Sequence, residues 1–280
     1  MKLMSTILII LVLTGVILWL ISKRGPDLAA EYRQQLDFET AFDKSRVQPI
    51  ISEESIVGLP TPVQRYMQIN GSIGKPRVAS IHLSFDAEMF QKPGQSGMKG
   101  SAEQYDRFDP PKRLFFMPTR MYGLPVNVLH DYHDVNASMR VRIASLFNAV
   151  DISGKELART ETVTLLNDLC FFAPSWLTDK RLTWHPIDDQ KTEVTFENGP
   201  YKVTATLYFN SDGELVNFVS EDRGALQGDG SLRILRWSTP MRKYKEFAGC
   251  KFATGGEAIW HYPEGEFTYG KMTLTDVQSR

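Results

Sequence analysis

Residues 153–177 read SGKELARTETVTLLNDLCFFAPSWL, and the fold turns on whether this stretch is a helix. Apolar side chains recur at helical spacing, at Leu165, Leu166, Leu169, Phe172, Trp176 and Leu177. Ser153 and Glu156 stand in the S-x-x-E relation of a capping box. Pro174 cannot continue a helix and is expected to kink or restart it. Thr160, Thr162, Val163 and Thr164 work the other way, because branched side chains lose rotamer freedom in a helix. A helix here must therefore be held by packing. Burying Phe171, Phe172 and Trp176 would contribute on the order of 5 kcal/mol before entropy is counted. Glu161, Asn167 and Asp168 are polar groups on an otherwise apolar element. They either face solvent or cap backbone, or one of them points into a cavity.

The obvious packing partner is a sheet, since β-type alternation lies on both sides. Before the helix, strands are expected over 78–90, 101–108, 112–118, 124–134 and 137–150. After it, they are expected over 181–187, 191–197, 201–210, 214–222, 232–238, 241–248, 250–261 and 266–277. In the first of these, Ile81, Leu83, Phe85 and Ala87 share one face, and His82, Ser84 and Asp86 the other. Residues 210–213 and 263–266 carry hairpin-turn chemistry. So many strands joined by short turns argue an antiparallel meander, and a sheet of that size must curl, close or split. The expected fold class is α+β, mainly antiparallel β: a large curved sheet or partial barrel packed on a central helix, with an N-terminal transmembrane helix.

That N-terminal element is LMSTILIILVLTGVILWLI, residues 3–21, which carries no charge. At 1.5 Å per residue it is about long enough to span a hydrocarbon core. Lys2 precedes it, Lys23 and Arg24 follow it, and Trp19 sits where an interfacial aromatic belongs. A cleaved secretory signal is the competing reading, but the apolar run is long and no small-x-small cleavage site follows it. The expected organisation is an anchor over 1–24, a juxtamembrane helix and linker over 25–58, and one β-rich domain over 59–280. Location at the cell membrane as a single-pass protein follows. Its orientation is undetermined, because the basic residues on the two sides nearly balance. Asp27 can cap a helix over 28–45 that lies along the membrane or packs under the domain. A second helix is expected over 59–71, with Thr61 as N-cap, Pro62 at the first helical position, Gln64 completing a capping box and Asn70-Gly71 ending it.

The L-P-x-P-V-x-R-Y pattern of residues 59–66, followed by G-x-x-G-x-P over 71–76, resembles an uncharacterised bacterial domain family. Later pieces agree: Glu161-Thr162 with Asn167-Asp168, Asp222-Arg223, Trp237-Ser238-Thr239-Pro240, and 265–269. The resemblance covers roughly residues 55–280. It implies a mostly antiparallel β domain of a kind that often follows a membrane segment, and it brings no activity with it.

Composition narrows the function classes. Lys plus Arg number 32 against 33 for Asp plus Glu, so no global field draws nucleic acid. The two cysteines, Cys170 and Cys250, are too few for a structural zinc site. There is no nucleophile elbow, P-loop or G-x-G-x-x-G, and no cofactor is expected. His130 and His133 flank a metal-like run, but on a strand they point to opposite faces, so no metal site is assigned. Arg233, Arg236, Arg242, Lys243 and Lys245 interleave with Trp237 and Tyr244; such a mixture binds phosphates or headgroups, or forms a solvated sheet face.

Three functions stay open. The first is a membrane-anchored β domain that binds an apolar or amphipathic, lipid-like ligand on the concave side of its sheet. The second is a hydrolase-type enzyme that uses carboxylates with His82, His130 or His133, at least two of them within hydrogen-bond reach in a cleft. The third is a cell-envelope interaction protein with no small-molecule site. The candidate ligand-binding residues are Glu161, Asn167, Trp176, Arg223, Trp237 and Tyr244. The expected partners are the lipid bilayer and that lipid-like ligand.

Overall fold

The structure, a computed structural model, describes residues 27–42 and 48–280, and within the first 26 residues positions 4, 6, 7, 10 and 12–16. Most of the expected anchor and the end of the 28–45 helix lie outside the described residues. Among the described residues, no helix is long and apolar enough to cross a membrane.

From residue 27 on, three helices come first among the described residues: α1 (Leu28–Phe42), α2 (Glu53–Ile56) and α3 (Thr61–Asn70). Six strands follow: β1 (Ser80–Met89), β2 (Met98–Phe108), β3 (Pro111–Met121), β4 (Leu124–His133), β5 (Asn136–Ile143) and β6 (Phe147–Ser153). Helix α4 (Lys155–Phe172) and a 3-10 turn (Pro174–Trp176) lead to β7 (Leu182–Asp188), β8 (Lys191–Asn198), β9 (Tyr201–Phe209) and β10 (Leu215–Leu226). The chain ends in β11 (Leu232–Ser238), β12 (Met241–Phe247), β13 (Cys250–Tyr262) and β14 (Gly265–Ser279).

All fourteen strands join one sheet, ordered β6-β5-β4-β3-β2-β1-β14-β13-β11-β10-β9-β8-β7, with β12 also on β13. The pairing of β1 with β14 welds the two meanders into one layer. β11 and β12 run against β13 as one interrupted strand, broken at Thr239-Pro240, since Arg236 faces His261 and Met241 faces Gly256 in one register.

Helix α4 connects β6 to β7, which are the two free edges of this sheet. Laid flat, the path of strands would be roughly 58 Å wide, at about 4.8 Å per strand step. An 18-residue helix is about 27 Å long. The sheet curls around this helix, and α4 lies in the hollow. Bulges at Ser84/Phe85, Val141/Arg142, Ser220/Arg223 and Ala258/Ile259 bend the strands that must turn. At one end of the hollow the two halves of the sheet meet, where the Asn198 amide of β8 donates to the Tyr132 hydroxyl of β4 at 2.7 Å.

Every residue of α4 from Thr160 to Phe172 is buried. Leu165, Leu166 and Leu169 are fully enclosed, Phe172 meets Phe85 edge-on at 5.9 Å, and the Tyr66 hydroxyl of α3 donates to the Cys170 carbonyl. Gly224 lets β10 approach, because a Cβ there would stand 2.7 Å from the Thr160 hydroxyl. Both cysteines are free thiols.

Helix α1 packs on the convex side. Leu28 and Tyr32 bury against Tyr105, Leu114, Phe116 and Leu129, and Tyr32 stacks on Phe116 at 5.1 Å. Glu39 pairs with Arg107 and Glu31 with Arg140. β3 is therefore covered on both faces, with Leu114 and Phe116 under α1 and Arg113, Phe115 and Met117 toward the hollow.

Several local expectations are corrected. Ser153 does not cap α4; it ends β6, and Gly154 at φ 113° makes the turn into the helix without a side-chain cap. Thr61 is the first helical residue, Pro60 holds the N-cap position, and Gln64 donates to the Val57 and Leu59 carbonyls. Gly71 does end α3 in the left-handed conformation. The expected strand over 137–150 is two strands, because Ala144 and Ser145 both adopt positive φ and form a tight hairpin turn. No glycine or asparagine marked that turn.

Leu166→Ala removes a side chain with no exposed surface at the centre of this arrangement. It should lower stability by about 2–5 kcal/mol, read as a shift of the urea midpoint. A change within the range of surface substitutions would mean that the sheet does not depend on α4.

Candidate ligand-binding cavity

One face of α4 meets the sheet through polar contacts that leave open space beside them. Leu157, Thr160, Glu161, Thr164, Asn167 and Asp168 recur at helical spacing along that face and line a cavity against the concave surface. The cavity has two compartments. The outer one has a volume of about 520 Å3 and the inner one about 150 Å3. Met89, Phe115, His130, Glu161, Arg223 and Tyr269 border both, so the two adjoin.

The outer compartment is walled by apolar side chains from β2 to β6, among them Met98, Met117, Met121, Met139, Val141 and Ile152. Methionines give such a wall a soft, adaptable surface. Tyr122, Leu124 and Phe147, in or beside the turns at the same end of these strands, are exposed.

The border between compartments is polar and organised around two guanidinium groups. Arg113 donates to Asp168 at 2.7 Å and to Gln104 at 3.0 Å, and pairs with Glu161 at 3.5 Å. Gln104 donates in turn to Asp168 and Asp106. His130 Nδ1 lies 3.4 Å from Glu161. Arg223 donates to Thr164 at 3.1 Å and to the Tyr269 hydroxyl at 2.9 Å. Its guanidinium lies 4.2 Å from the Trp237 ring and 5.0 Å from that of Trp260, a cation–π contact with both rings. Asn167 donates to Thr239 at 2.6 Å, at the break between β11 and β12.

Burial would raise the Glu161 carboxyl, but the hydrogen bond and charge of His130, joined by Arg113 and Arg223, hold it at about 2. Asp168 is raised, because burial outweighs its pairing with Arg113. Burial and then the charge of Asp168 push Asp106 well above the usual carboxylate range, and its Oδ1 has no hydrogen-bond partner among the described residues. Burial opposes the charge on Arg113, yet Asp168, Glu161 and Asp106 together raise it.

Of the six residues singled out from the sequence, Glu161, Asn167, Arg223 and Trp237 line this cavity. Trp176 does not. Pro174 turns the chain out of the helix, and the indole packs on Phe108 and donates to the Val78 carbonyl. Tyr244 does not either; its hydroxyl donates to the Leu215 carbonyl at 2.7 Å. Arg233, Arg236, Arg242, Lys243 and Lys245 are exposed, whereas Trp237 faces inward, so the basic and aromatic residues are not one patch. His130 faces the hollow, while His133 is exposed and His82 meets Tyr32 under α1. Among the described residues, no group of three or more His, Cys, Asp or Glu is placed to hold a metal ion. Arg113, Gln104 and Tyr269 escaped the sequence reading. The alternation of Arg113 with Phe115 and Met117 was the available signal, and it was hidden by Leu114 and Phe116, which are apolar because α1 covers them.

The sequence model of a family of unknown function, DUF6544, matches residues 49–272. No curated protein matches the chain. Among solved structures, the chain is similar to a LolA superfamily protein from Nitrosomonas europaea, with 12% identity, a TM-score of 0.43, and 78% of this chain and 92% of that one covered. It is also similar to a DUF1329 family protein from Desulfovibrio piger, with 12% identity, a TM-score of 0.42, and 78% and 90% covered.

The carboxylates set opposite pH dependences. Glu161 is lowered on folding from 4.5 to about 2, so its contribution is full above pH 4.5 and is lost as pH falls toward 2. Asp106 is raised from 3.8, so its contribution is full below pH 3.8 and fades as pH rises. Urea midpoints measured against pH should lose the acid-side fall in Glu161→Gln. In Asp106→Asn they should lose a decline on the other side, toward higher pH.

Proposed function

This chain belongs to that family of unknown function, DUF6544, and we propose that it is a membrane-tethered protein that binds an apolar or amphipathic molecule in the cavity between α4 and the sheet. The observation that carries this reading is the outer compartment of about 520 Å3. Its size falls within the roughly 300–1,000 Å3 of small-molecule sites. Its apolar wall gains by exchanging water for an apolar occupant. The exposed Tyr122, Leu124 and Phe147 beside its outer end suit a cargo that arrives from an apolar phase.

Binding is favoured over hydrolysis by the state of Glu161. His130 and Glu161 meet the distance condition for an acid–base pair. A carboxylate held at about 2 is nonetheless a weak base near neutral pH, far from the matching that general base catalysis needs.

The tether is residues 3–21. Its support is the charge-free run itself and the described residues within it, which are helical and expose Ile10, Leu13 and Val16. A bilayer would cover such side chains.

Two measurements test these readings. Val141→Trp places an indole in the outer compartment and should weaken displacement of an environment-sensitive apolar dye by oleyl alcohol by about tenfold or more. Equal displacement from both proteins would exclude this cavity as the site. In cell fractions, the chain should keep its full-length mass and stay with membranes through an alkaline carbonate wash; a shortened, freely extracted chain would overturn the tether.

A further inference from the structure

The hydrogen-bonding groups at the border of the two compartments are not balanced. Of the carboxylates lining the cavity, Glu161 and Asp168 contact Arg113, and Glu257 pairs with Arg242. Arg223 has no carboxylate in ion-pair contact among the described residues, although its charge reaches Glu161 and helps hold it ionised. A guanidinium has five N–H groups. Two of those on Arg223 are engaged, one by Thr164 and one by Tyr269. The other three have no acceptor among the described residues, and Arg223 borders both compartments.

Its neighbours have the same bias. The Tyr269 oxygen accepts from Arg223 at 2.9 Å and from the Trp237 indole at 3.2 Å, which occupies its lone pairs and leaves its own O–H free to donate. The Thr160 hydroxyl accepts from the Gly224 amide at 3.1 Å, so its hydrogen is free as well. Trp237 and Trp260, a cross-strand pair of indoles, both lie against the guanidinium, so little rotamer freedom remains to be lost on binding. The groups around Arg223 with capacity left are therefore donors, on an apolar wall, beside a cation with no counter-charge in contact. Buried charges are paired, and the missing partner here is an anion.

We infer that Arg223, with Tyr269 and Thr160, receives the carboxylate or phosphate head of a single-chain amphiphile whose apolar chain lies in the methionine-lined outer compartment. This rests on the binding reading above and adds the chemistry of the head group. Glu161 does not repel such a head strongly, because Arg113 and His130 face it. A planar guanidinium offers two parallel N–H bonds to either anion, so a fatty-acid carboxylate and a lysophospholipid phosphate are the two sources.

The test uses the full chain in mild detergent, with oleate, oleoyl lysophosphatidate, oleyl alcohol, acetate and inorganic phosphate competing against aminoanthracene. The expected result is that oleate or lysophosphatidate displaces the dye at a concentration about tenfold or more below oleyl alcohol; the tighter of the two identifies the source. The ratio of anionic to neutral ligand should collapse toward one in Arg223→Met and shrink in Tyr269→Phe. A ratio near one in the unaltered protein overturns the inference, and that comparison requires no variant to fold. A ratio kept in both variants also overturns it, by placing the anion elsewhere. Displacement by acetate or phosphate as strong as by oleate removes the chain from the ligand. If no amphiphile displaces the dye, oleyl alcohol included, the binding reading itself fails; if oleyl alcohol binds and Val141→Trp weakens it while charge has no effect, the head-group assignment fails alone.

Discussion

One connection governs this molecule: a helix much shorter than the sheet is wide joins the sheet's two free edges. The sheet bends around its own connecting segment, and the helix is enclosed as a result. Bulges in β1, β5, β10 and β13 supply the bend. The hollow is thus a consequence of topology, present before any particular side chain is chosen to line it.

Enclosing α4 creates a second requirement. A helix buried all round is normally apolar all round, but this one carries Thr160, Glu161, Thr164, Asn167 and Asp168 on one face. Each of these must find a partner away from water. Arg113, His130, Arg223 and Thr239 reach in from β3, β4, β10 and the β11–β12 break to supply them. These long side chains bridge the space between helix and sheet. The network fixes the helix in place while leaving open the apolar space beside it, which a face of leucines would have closed.

The same polar layer divides the hollow by chemistry. On one side are the flexible methionines of the outer wall; at the border are the guanidinium, indole and phenol groups of Arg223, Trp237 and Tyr269. An apolar region next to oriented donors is the pattern of a site that takes a molecule with two unlike ends. Because the donors sit on the second meander and the methionine wall on the first, the site exists only in the closed arrangement.

Much of the frame was legible in the chain. The alternation of Ile81, Leu83, Phe85 and Ala87 and the turn chemistry at 210–213 and 263–266 mark strands and hairpins, because a strand's side chains alternate by stereochemistry alone. The helical spacing from Leu165 to Leu177, ended by Pro174, marks the buried helix for the same kind of reason. Glu161, Asn167, Arg223 and Trp237 stood out as polar or aromatic groups in apolar surroundings. What local pattern could not decide was which edge strands α4 would join, and so which way its polar face would look. It could not show that α1 would cover Leu114 and Phe116 and so hide the inward alternation of Arg113. Nor could it separate Trp176 and Tyr244 from the cavity. Those outcomes depend on contacts between residues far apart in sequence, for which periodicity carries no information; only the folding of the sheet onto its own connection brings them together.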